Sequence, residues 1–213
     1  MRKLLILTGV VLTLIVLYPK ESMKIVSKVG GIVSLYFNVE TVKSSDLVKR
    51  NGIYIKRFTD VPFTGREVNY FADGQLNSKG HFKGGKRDGI WEVYFDNGQL
   101  KSKQHYKDGK KNGLGKEYHI NGQLSSKGYF KDGEENGPWE FYYKNGQLNF
   151  KGHYNDGKKE GLWEASWVNG QLSNKGNWKG GKQVGFWKYY EKDGTVNEEY
   201  TGTYRNGERV SRK

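Results

Sequence analysis

Short runs in which hydrophobic and polar residues alternate fill most of this chain. Between residues 75 and 83, the odd-numbered positions carry Gln, Asn, Lys, His and Lys, and the even-numbered ones carry Leu76, Ser78, Gly80 and Phe82. Alternation of period two with one polar face predicts a half-exposed β-strand. After a glycine-rich loop, residues 90–95 form a second run, rich in aromatic and β-branched residues. The pattern therefore predicts a pair of strands.

The strand pair recurs every 24 residues. Each copy ends in Asn or Asp followed by Gly, and five of the six copies continue with Gln-Leu. The turn glycines are Gly74, Gly98, Gly122, Gly146, Gly170 and Gly194. Since Asn-Gly between two strands is the strongest short-range signal for a type I′ hairpin turn, we predict such turns at these positions. Each repeat is thereby predicted to be a β-hairpin that leads into the next without a crossover.

Glycine and tryptophan hold fixed places in the repeat. The recurring residues are Gly80, Gly128, Gly152 and Gly176 in the first strand and Trp91, Trp139, Trp163 and Trp187 in the second. A mid-strand glycine weakens a strand unless a ring packs over it, so we predict that the tryptophans cover the glycines. One repeat departs at both places together, with Gln104 for glycine and Gly115 for tryptophan, as a paired contact predicts.

The array is predicted to extend beyond its clearest copies. Residues 65–71 fall one period before 89–95, and residues 53–58 offer them a partner strand. Residues 200–207 match the first strand of the repeat with two extra residues, so we expect a β-bulge near residues 198–200. The predicted fold is all-β, an elongated single-layer antiparallel meander of about a dozen strands, roughly 55 to 60 Å long at ~4.8 Å per strand.

The rest of the chain is divided around this array. The predicted segments are a signal peptide or signal anchor at 1–22, a spacer or N-terminal cap at 23–51, the array at 52–207 and a basic C-terminal tail at 208–213. Two runs rich in β-branched residues within 23–51 form either a hairpin that caps the first repeat or a spacer. We favour the cap, because the terminal units of a repeat array need an atypical cover.

The N-terminus has the pattern of an export signal. Arg2 and Lys3 precede an apolar run over residues 4–18, which predicts an N-terminal apolar helix. The run lacks a small-x-small cleavage site and is short for a spanning helix, which leaves an uncleaved signal anchor, a cleaved signal and a buried helix as alternatives. The positive residues would stay on the cytoplasmic side. We therefore expect an exported protein, anchored in the inner membrane and facing the periplasm or extracellular side, or secreted after cleavage.

Composition narrows the possible chemistry. The chain has 30 Gly, 3 Pro and no Cys, which suits many tight turns and excludes disulfides and thiolate chemistry. No nucleophile elbow, phosphate-binding loop or zinc-binding helix motif is present in the sequence. We predict a protein that is not an enzyme and uses no cofactor or metal. The formal charge of +13 favours anionic partners.

Lysines recur on the polar side of the predicted strands. The first set is Lys79, Lys103, Lys127, Lys151 and Lys175, and the second is Lys83, Lys107, Lys131 and Lys179. Such a surface could bind an acidic protein, anionic lipid, polysaccharide or nucleic acid. The alternative is a solvated face with cross-strand ion pairs to Glu92, Glu140 and Glu164. The export signal disfavours nucleic acid as a partner.

Aromatic residues and histidines are further candidates. Trp167 and Trp178 do not follow the regular tryptophan pattern, and we regard them as candidate partner-binding residues. The regular tryptophans are better explained by packing between repeats. The histidines His81, His105, His119 and His153 are predicted to be solvated strand residues, because equivalent positions one hairpin apart are about 10 Å apart, too far to share a zinc ion. Sites are expected where copies differ, as at Gly115, Glu134-Glu135 and Trp167.

The repeat unit resembles a known family. Its pattern is aromatic-x-x-Asn-Gly-Gln-Leu, followed by x-x-Lys-Gly-x-aromatic-Lys-x-Gly-Lys-x-x-Gly-x-Trp. It resembles the variant membrane-occupation-and-recognition-nexus (MORN) repeat, as found in the YwqK-like antitoxin group, and the likeness covers residues 52–207. It implies an elongated β-hairpin array with a non-enzymatic binding role and, in some members, neutralisation of a toxin.

Three functions follow as hypotheses. The first is an exported repeat scaffold that binds a macromolecular partner through one face of its sheet, and we expect this partner to be a protein. The second is an antitoxin or immunity protein that holds a toxin inactive. The third is an envelope-binding module whose basic face contacts anionic lipid or polysaccharide.

Overall fold

The computed structural model describes residues 39–212 throughout, and only short backbone segments before them. These segments are β1 (Lys3–Thr8), β2 (Val11–Val16), β3 (Met23–Ile25) and β4 (Leu35–Phe37), paired β1 with β2 and β3 with β4. The remaining residues of the predicted signal segment lie outside the described part, so its apolar helix stays a prediction. Among the described residues, no helix is long and apolar enough to span a membrane.

The repeats form one long sheet of hairpins. The strands after residue 40 are β5 (Thr41–Lys43), β6 (Leu47–Arg50), β7 (Ile53–Lys56), β8 (Gly65–Tyr70), β9 (Leu76–Lys83), β10 (Lys86–Arg87), β11 (Gly89–Tyr94), β12 (Leu100–Lys107), β13 (Lys110–Tyr118), β14 (Leu124–Lys131), β15 (Glu134–Tyr142), β16 (Leu148–Asn155), β17 (Lys158–Ser166), β18 (Leu172–Lys179), β19 (Lys182–Tyr189), β20 (Gly202–Arg205) and β21 (Glu208–Ser211). All of them except β6 and β7 belong to the long sheet. Fifteen strands join in the order β21 down to β11, then β9, β8 and β5, with β10 paired to β9. The all-β prediction is confirmed, with one short 3-10 turn, Ser44–Asp46, as the helical element among the described residues.

The type I′ turns lie at a different place in the repeat from the predicted one. At Asn97-Gly98 the N–H of Gly98 donates to Phe95 O at 3.0 Å, and positive φ falls on Gly98 alone, at 79°. A type I′ turn needs positive φ at both central residues, so the type I′ prediction is wrong here. The Asp108-Gly109 turn meets that requirement, with φ of 51° and 85°. The two-residue type I′ turn therefore lies at Asp-Gly. The connection at Asn-Gly is longer, and a type I turn followed by a glycine with positive φ closes it.

The Asn-Gly turns also tie each repeat to the next. Asn97 Oδ1 accepts a hydrogen bond from the Gln99 N–H at 3.1 Å, while Asn97 Nδ2 donates to Ile120 O at 3.1 Å. The same inter-turn donation recurs from Asn121 to Lys144 O and from Asn169 to Lys192 O, at 2.8 and 3.0 Å. Each turn asparagine therefore serves its own turn and fixes the position of the following one.

The start of the sheet differs from the prediction. β7 pairs with β6 and not with β8, whose second partner is β5 in parallel orientation. The apolar residues explain this arrangement, because Val42, Leu47 and Phe63 form a buried cluster with Phe82 and Trp91. The loop-rich segment before β8 is thus folded over the first hairpin as a hydrophobic cover for its ring residues.

At the far end the two extra residues form a turn and not a β-bulge. The Thr201 N–H donates to Asn197 O at 3.0 Å, so residues 197–201 leave the sheet as one short turn. Pairing resumes at Gly202, which lies opposite Trp187 in β19. The expected bulge at residues 198–200 is therefore wrong, because a local turn absorbs both residues at once.

Candidate functional site: the two faces of the sheet

One face of the sheet is filled by the regular tryptophans. A Cβ placed on Gly80, Gly128, Gly152 or Gly176 would lie 2.1 to 2.2 Å from a ring atom of Trp91, Trp139, Trp163 or Trp187, respectively. Each ring thus lies directly on the glycine of the neighbouring strand, and the predicted cover is confirmed. The tryptophans are 2 to 7% exposed. We call this side of the sheet the tryptophan face.

The indole nitrogens are satisfied within the same contacts. Trp91 Nε1 donates to His81 O at 3.1 Å, and Trp163 Nε1 donates to His153 O at the same distance. Edge-to-face rings complete the packing, as in Phe82 with Trp91 at 5.1 Å between centroids. Each tryptophan therefore buries its apolar ring while its indole N–H keeps a hydrogen-bond acceptor, so these residues stabilise the fold.

The divergent repeat inverts this contact. Gln104 lies opposite Gly115, and a Cβ on Gly115 would fall 2.4 Å from Gln104 Oε1. The glutamine side chain therefore occupies the space over Gly115, in the reverse direction to the tryptophan contacts. Gln104 is 6% exposed, and its Oε1 has no hydrogen-bond partner among the described residues. The predicted pairing of the two departures is confirmed as a direct contact.

The opposite face carries a continuous row of charged residues. Since neighbouring residues of a strand point to opposite faces, Lys79 lies on the other side from Gly80. Cross-strand pairing from β9 to β19 gives the row Lys79, Glu92, Lys103, Lys116, Lys127, Glu140, Lys151, Glu164, Lys175 and Lys188. We call these residues the charged row and this side of the sheet the charged face.

Glutamates neutralise part of the charged row. Glu92 accepts from Lys103 at 2.9 Å and from Lys79 at 3.0 Å. The hydrogen bond from Lys103, with that from Lys79, lowers the pKa of Glu92 to about 2 against desolvation, which acts in the other direction. Lys127 pairs with Glu140 at 2.8 Å, and Lys151 with Glu164 at 3.1 Å.

The predicted lysines therefore divide into two groups. The ion pairs expected as the alternative are present at Lys79, Lys103, Lys127 and Lys151. Lys175 lies between Glu164 and Lys188 in the row, and no ion pair joins it to either. Lys116 was not among the predicted lysines. It replaces the glutamate of the repeat, a signal that a comparison of position 92 with position 116 could have revealed.

Next to the charged row runs a row of apolar residues, of which four are exposed and one, Leu114, is half-buried. Each of five repeats places one at the same position: Ile90, Leu114, Pro138, Leu162 and Phe186. Ile90, Leu162 and Phe186 are 45, 55 and 52% exposed. Burial in the sheet does not account for side chains that remain this exposed in four of the five repeats. Sequence reasoning missed this row, because it scored the alternation of each strand and did not compare outward positions between repeats.

The two irregular tryptophans have structural contacts. Trp167 Nε1 donates to Tyr190 O at 3.0 Å, and His119 and Tyr143 make the equivalent bridge to the next hairpin. Trp178 packs edge-to-face on Trp187, with ring centroids 5.6 Å apart, on the tryptophan face. Both remain half-buried. The structure does not bring them together with the charged row, and their role in partner binding stays a prediction.

Cations also lie over rings on the tryptophan face. The Arg87 guanidinium lies 4.1 Å from the Trp91 ring centroid, and Lys159 Nζ lies 4.4 Å from that of Trp163. Burial lowers the pKa of Lys159. A cavity of about 270 Å³ lined by Lys159, Trp163 and Trp178 lies here. The side-chain packing of the array itself accounts for these contacts.

Histidines make no metal site in the described part of the chain. Among those residues, no group of three or more His, Asp or Glu side chains is placed to hold a metal ion. His105 Nδ1 lies 2.9 Å from Leu114 O, and His119 Nε2 lies 2.9 Å from Tyr142 O. The prediction of solvated histidines is therefore wrong for these two, which bridge strands through backbone carbonyls.

These features define a class of protein: a single-sheet array of β-hairpin repeats whose two faces use different repeat positions. The family model described as the MORN repeat variant matches residues 63–83, 87–108, 111–132 and 135–156. Four repeats within residues 63–156 therefore match the MORN repeat variant, and the predicted resemblance is confirmed over that part. This repeat generally forms non-enzymatic scaffolds. The narrower likeness to the YwqK-like antitoxin group stays a prediction.

One similar chain comes from the crystal structure of accessory secretory protein 1, 2 and 3 in Streptococcus pneumoniae, with 18% identity and a TM-score of 0.26. The match covers 53% of this chain and 20% of that chain, so this chain spans about a fifth of its length. A TM-score this low supports no argument about function. No curated protein matches this chain.

Proposed function

We propose that the protein is a non-enzymatic repeat scaffold that binds a protein partner through the charged face of its sheet. The observation that carries the proposal is the difference in side chains between the two faces of the sheet. The tryptophan face is occupied by rings over glycines, whereas the charged face presents an apolar side chain at the same outward place in five repeats. Apolar residues rimmed by charges are typical of protein interaction sites.

The proposed location is the cell envelope. The apolar run at residues 4–18 after Arg2 and Lys3 supports export, with the array on the outer side of the membrane. An uncleaved segment would hold the array at the membrane, and cleavage would release it. In either case the partner would be a protein that reaches the same compartment.

The test uses the absence of cysteine from the chain. Leu162→Cys places a single thiol on the charged face, and Glu117→Cys places one at an exposed site on the tryptophan face. Each full-length variant is expressed in the native host and treated with a thiol-specific crosslinker. We expect a defined crosslinked protein from Leu162→Cys and none from Glu117→Cys. Equal products from both faces, or products from Glu117→Cys alone, would contradict the proposal.

The same experiment separates the other functions. A toxin identified as the product from the charged face would make the protein an antitoxin. If lipid or polysaccharide is the ligand, no discrete protein product forms, and retention on anionic vesicles by a variant lacking residues 1–22 would fall as salt rises.

A further inference from the structure

The alternation of the charged row fails at two places: at its end, where Lys175 lies opposite Lys188, and in its middle, where three lysines follow one another. Across β12, β13 and β14, Lys103, Lys116 and Lys127 lie directly opposite one another. We call them the lysine triplet. Side chains directly opposite in an antiparallel pair have Cβ atoms about 4.5–5.5 Å apart, and like charges there are destabilising. A glutamate at position 116, as at 92, 140 and 164, would remove this repulsion.

The centre of the triplet lacks an anion of its own. Glu92 and Glu140 pair with the outer members of the triplet from their far sides. Lys116 has no ion-pair partner among the described residues, and it is half-buried between its neighbours. The charges of Lys103 and Lys127 are therefore partly neutralised, whereas the charge of Lys116 between them is not.

The tyrosine two residues after Lys116 also indicates that a carboxylate is missing at this position. Tyr94 and Tyr142 each donate a hydrogen bond to the glutamate two residues earlier, Glu92 and Glu140. Tyr118 holds the equivalent place, but the residue two positions earlier is Lys116, which offers no acceptor. The ammonium and the phenol thus present donors at the position where three other repeats carry a carboxylate, Glu92, Glu140 and Glu164. What fits there is a carboxylate supplied from outside the chain.

Apolar side chains lie directly beside the triplet. Leu114 pairs with Tyr129 across β13 and β14 on the charged face, and Tyr129 is 48% exposed. A free inorganic anion would gain nothing from these residues, whereas a peptide with apolar and acidic side chains could contact both. Exposed aromatic and aliphatic residues next to a charge are typical of interfaces between proteins.

We infer that the lysine triplet, with Leu114 and Tyr129, is the docking point for an acidic, apolar-flanked segment of a protein partner. A carboxylate of that segment occupies the place of the missing glutamate, between Lys116 and Tyr118. This inference rests on the proposed function and names the chemistry of the partner. It also explains why this repeat keeps a destabilising lysine: the repulsion is relieved when the partner binds.

The test compares two matched substitutions. Lys116→Glu restores the usual residue of the repeat, and Lys188→Glu makes the same change at the equivalent place in β19. Lys188 lies six strands away from Lys116, about 29 Å at ~4.8 Å per strand. The full chain in neutral detergent is titrated with a labelled synthetic peptide containing glutamate and leucine. The control probes are the same peptide with every glutamate replaced by glutamine, and inorganic phosphate.

We expect the acidic peptide to bind the wild type and Lys188→Glu with similar affinity. Lys116→Glu should weaken binding by about tenfold or more, as expected when a facing charge is reversed. Its melting temperature should rise, which shows that the loss does not come from unfolding. Neither the glutamine peptide nor phosphate should bind detectably.

Two outcomes would overturn the inference. Equal weakening by both substitutions would show general attraction to the charged face and not a site at the triplet. Binding of phosphate, lost in Lys116→Glu, with no binding of the acidic peptide would indicate a phosphate site. In either case a crosslink from Leu162→Cys would still support the proposed function, whereas loss of that crosslink would count against the proposed function itself.

Discussion

Trp91 lies so close to Gly80 that a Cβ on the glycine would fall 2.2 Å from the ring atom Cδ2. The contact recurs in three later repeats, each with the indole N–H bonded to the carbonyl that follows the covered glycine. In a sheet with one layer, these ring-on-glycine contacts replace the second layer that usually closes a hydrophobic core. The stability of the array therefore depends on residues that sequence alone marks as weak strand formers.

A single methyl group on a covered glycine should disrupt its repeat. Gly152→Ala would place Cβ 2.1 Å from Trp163, and we expect a loss of about 1–3 kcal/mol, as in overpacked cores. Urea unfolding measures the loss. The matched control is Ser126→Ala, a buried small residue on the same face, which should cost less. Equal effects of the two changes would show that the ring does not hold its place over the glycine.

The divergent repeat can be tested by restoring its partners. Gln104→Gly opens space over Gly115, and Gly115→Trp introduces a ring that meets Gln104, so each single change should destabilise the sheet. The double variant recreates the contact of the other repeats and should recover stability. A double-mutant cycle should give a coupling of about 0.5–3 kcal/mol between the two sites. Additive effects of the two changes would contradict a direct contact.

Stability should fall in acid because of Glu92. Hydrogen bonds from Lys103 and Lys79 hold the pKa of Glu92 at about 2, below its ordinary value of 4.5. A depressed folded-state pKa contributes stability above the unfolded value, and this contribution is lost as the pH falls through the folded value. Glu92→Gln should therefore lower the melting temperature at pH 6, and the difference from the wild type should shrink between pH 4.5 and 2.

The control for Glu92 is Glu117→Gln on the opposite face. It should leave the melting temperature close to that of the wild type at both ends of the pH range. If Glu92→Gln lowers the melting temperature by the same amount at pH 6 and pH 2, the ion pairs are not the source of its contribution.

Removing the charge of Glu67 should stabilise the protein at neutral pH. Glu67 is 5% exposed, its Oε2 has no hydrogen-bond partner among the described residues, and burial raises its pKa against the opposing effect of Arg87. A raised folded-state pKa means that the protonated form favours folding, and that stability is lost as the pH rises through this value. Glu67→Gln should raise the melting temperature at pH 7, with the gain vanishing below pH 4.5.

The matched control for Glu67 is Glu67→Asp, which keeps the charge in a similar place. It should show no gain at pH 7. A gain at pH 7 that persists unchanged below pH 4.5 would point to packing and not to the cost of a buried charge.

The sequence by itself determined the hairpins and the inward contacts. Three sequence features were enough to predict them: the period of 24 residues, the alternation within strands, and the paired departures at Gln104 and Gly115. Each of these features depends on neighbours that recur at fixed separations in the sequence. The ion pairs of the lysines were foreseen as one of two alternatives for the same reason.

Only the tertiary structure decided the features that depend on register and on non-repeating segments. The type I′ turn lies at Asp-Gly and not at Asn-Gly, because φ at Asp108 and Asn97 depends on how many residues the paired strands leave between them. The second partner of β8, besides β9, is β5 and not β7, because burial of Val42 and Phe63 outweighs nearness in sequence. The lysine triplet also depends on the tertiary structure, since side chains on three strands become neighbours only when the register aligns them.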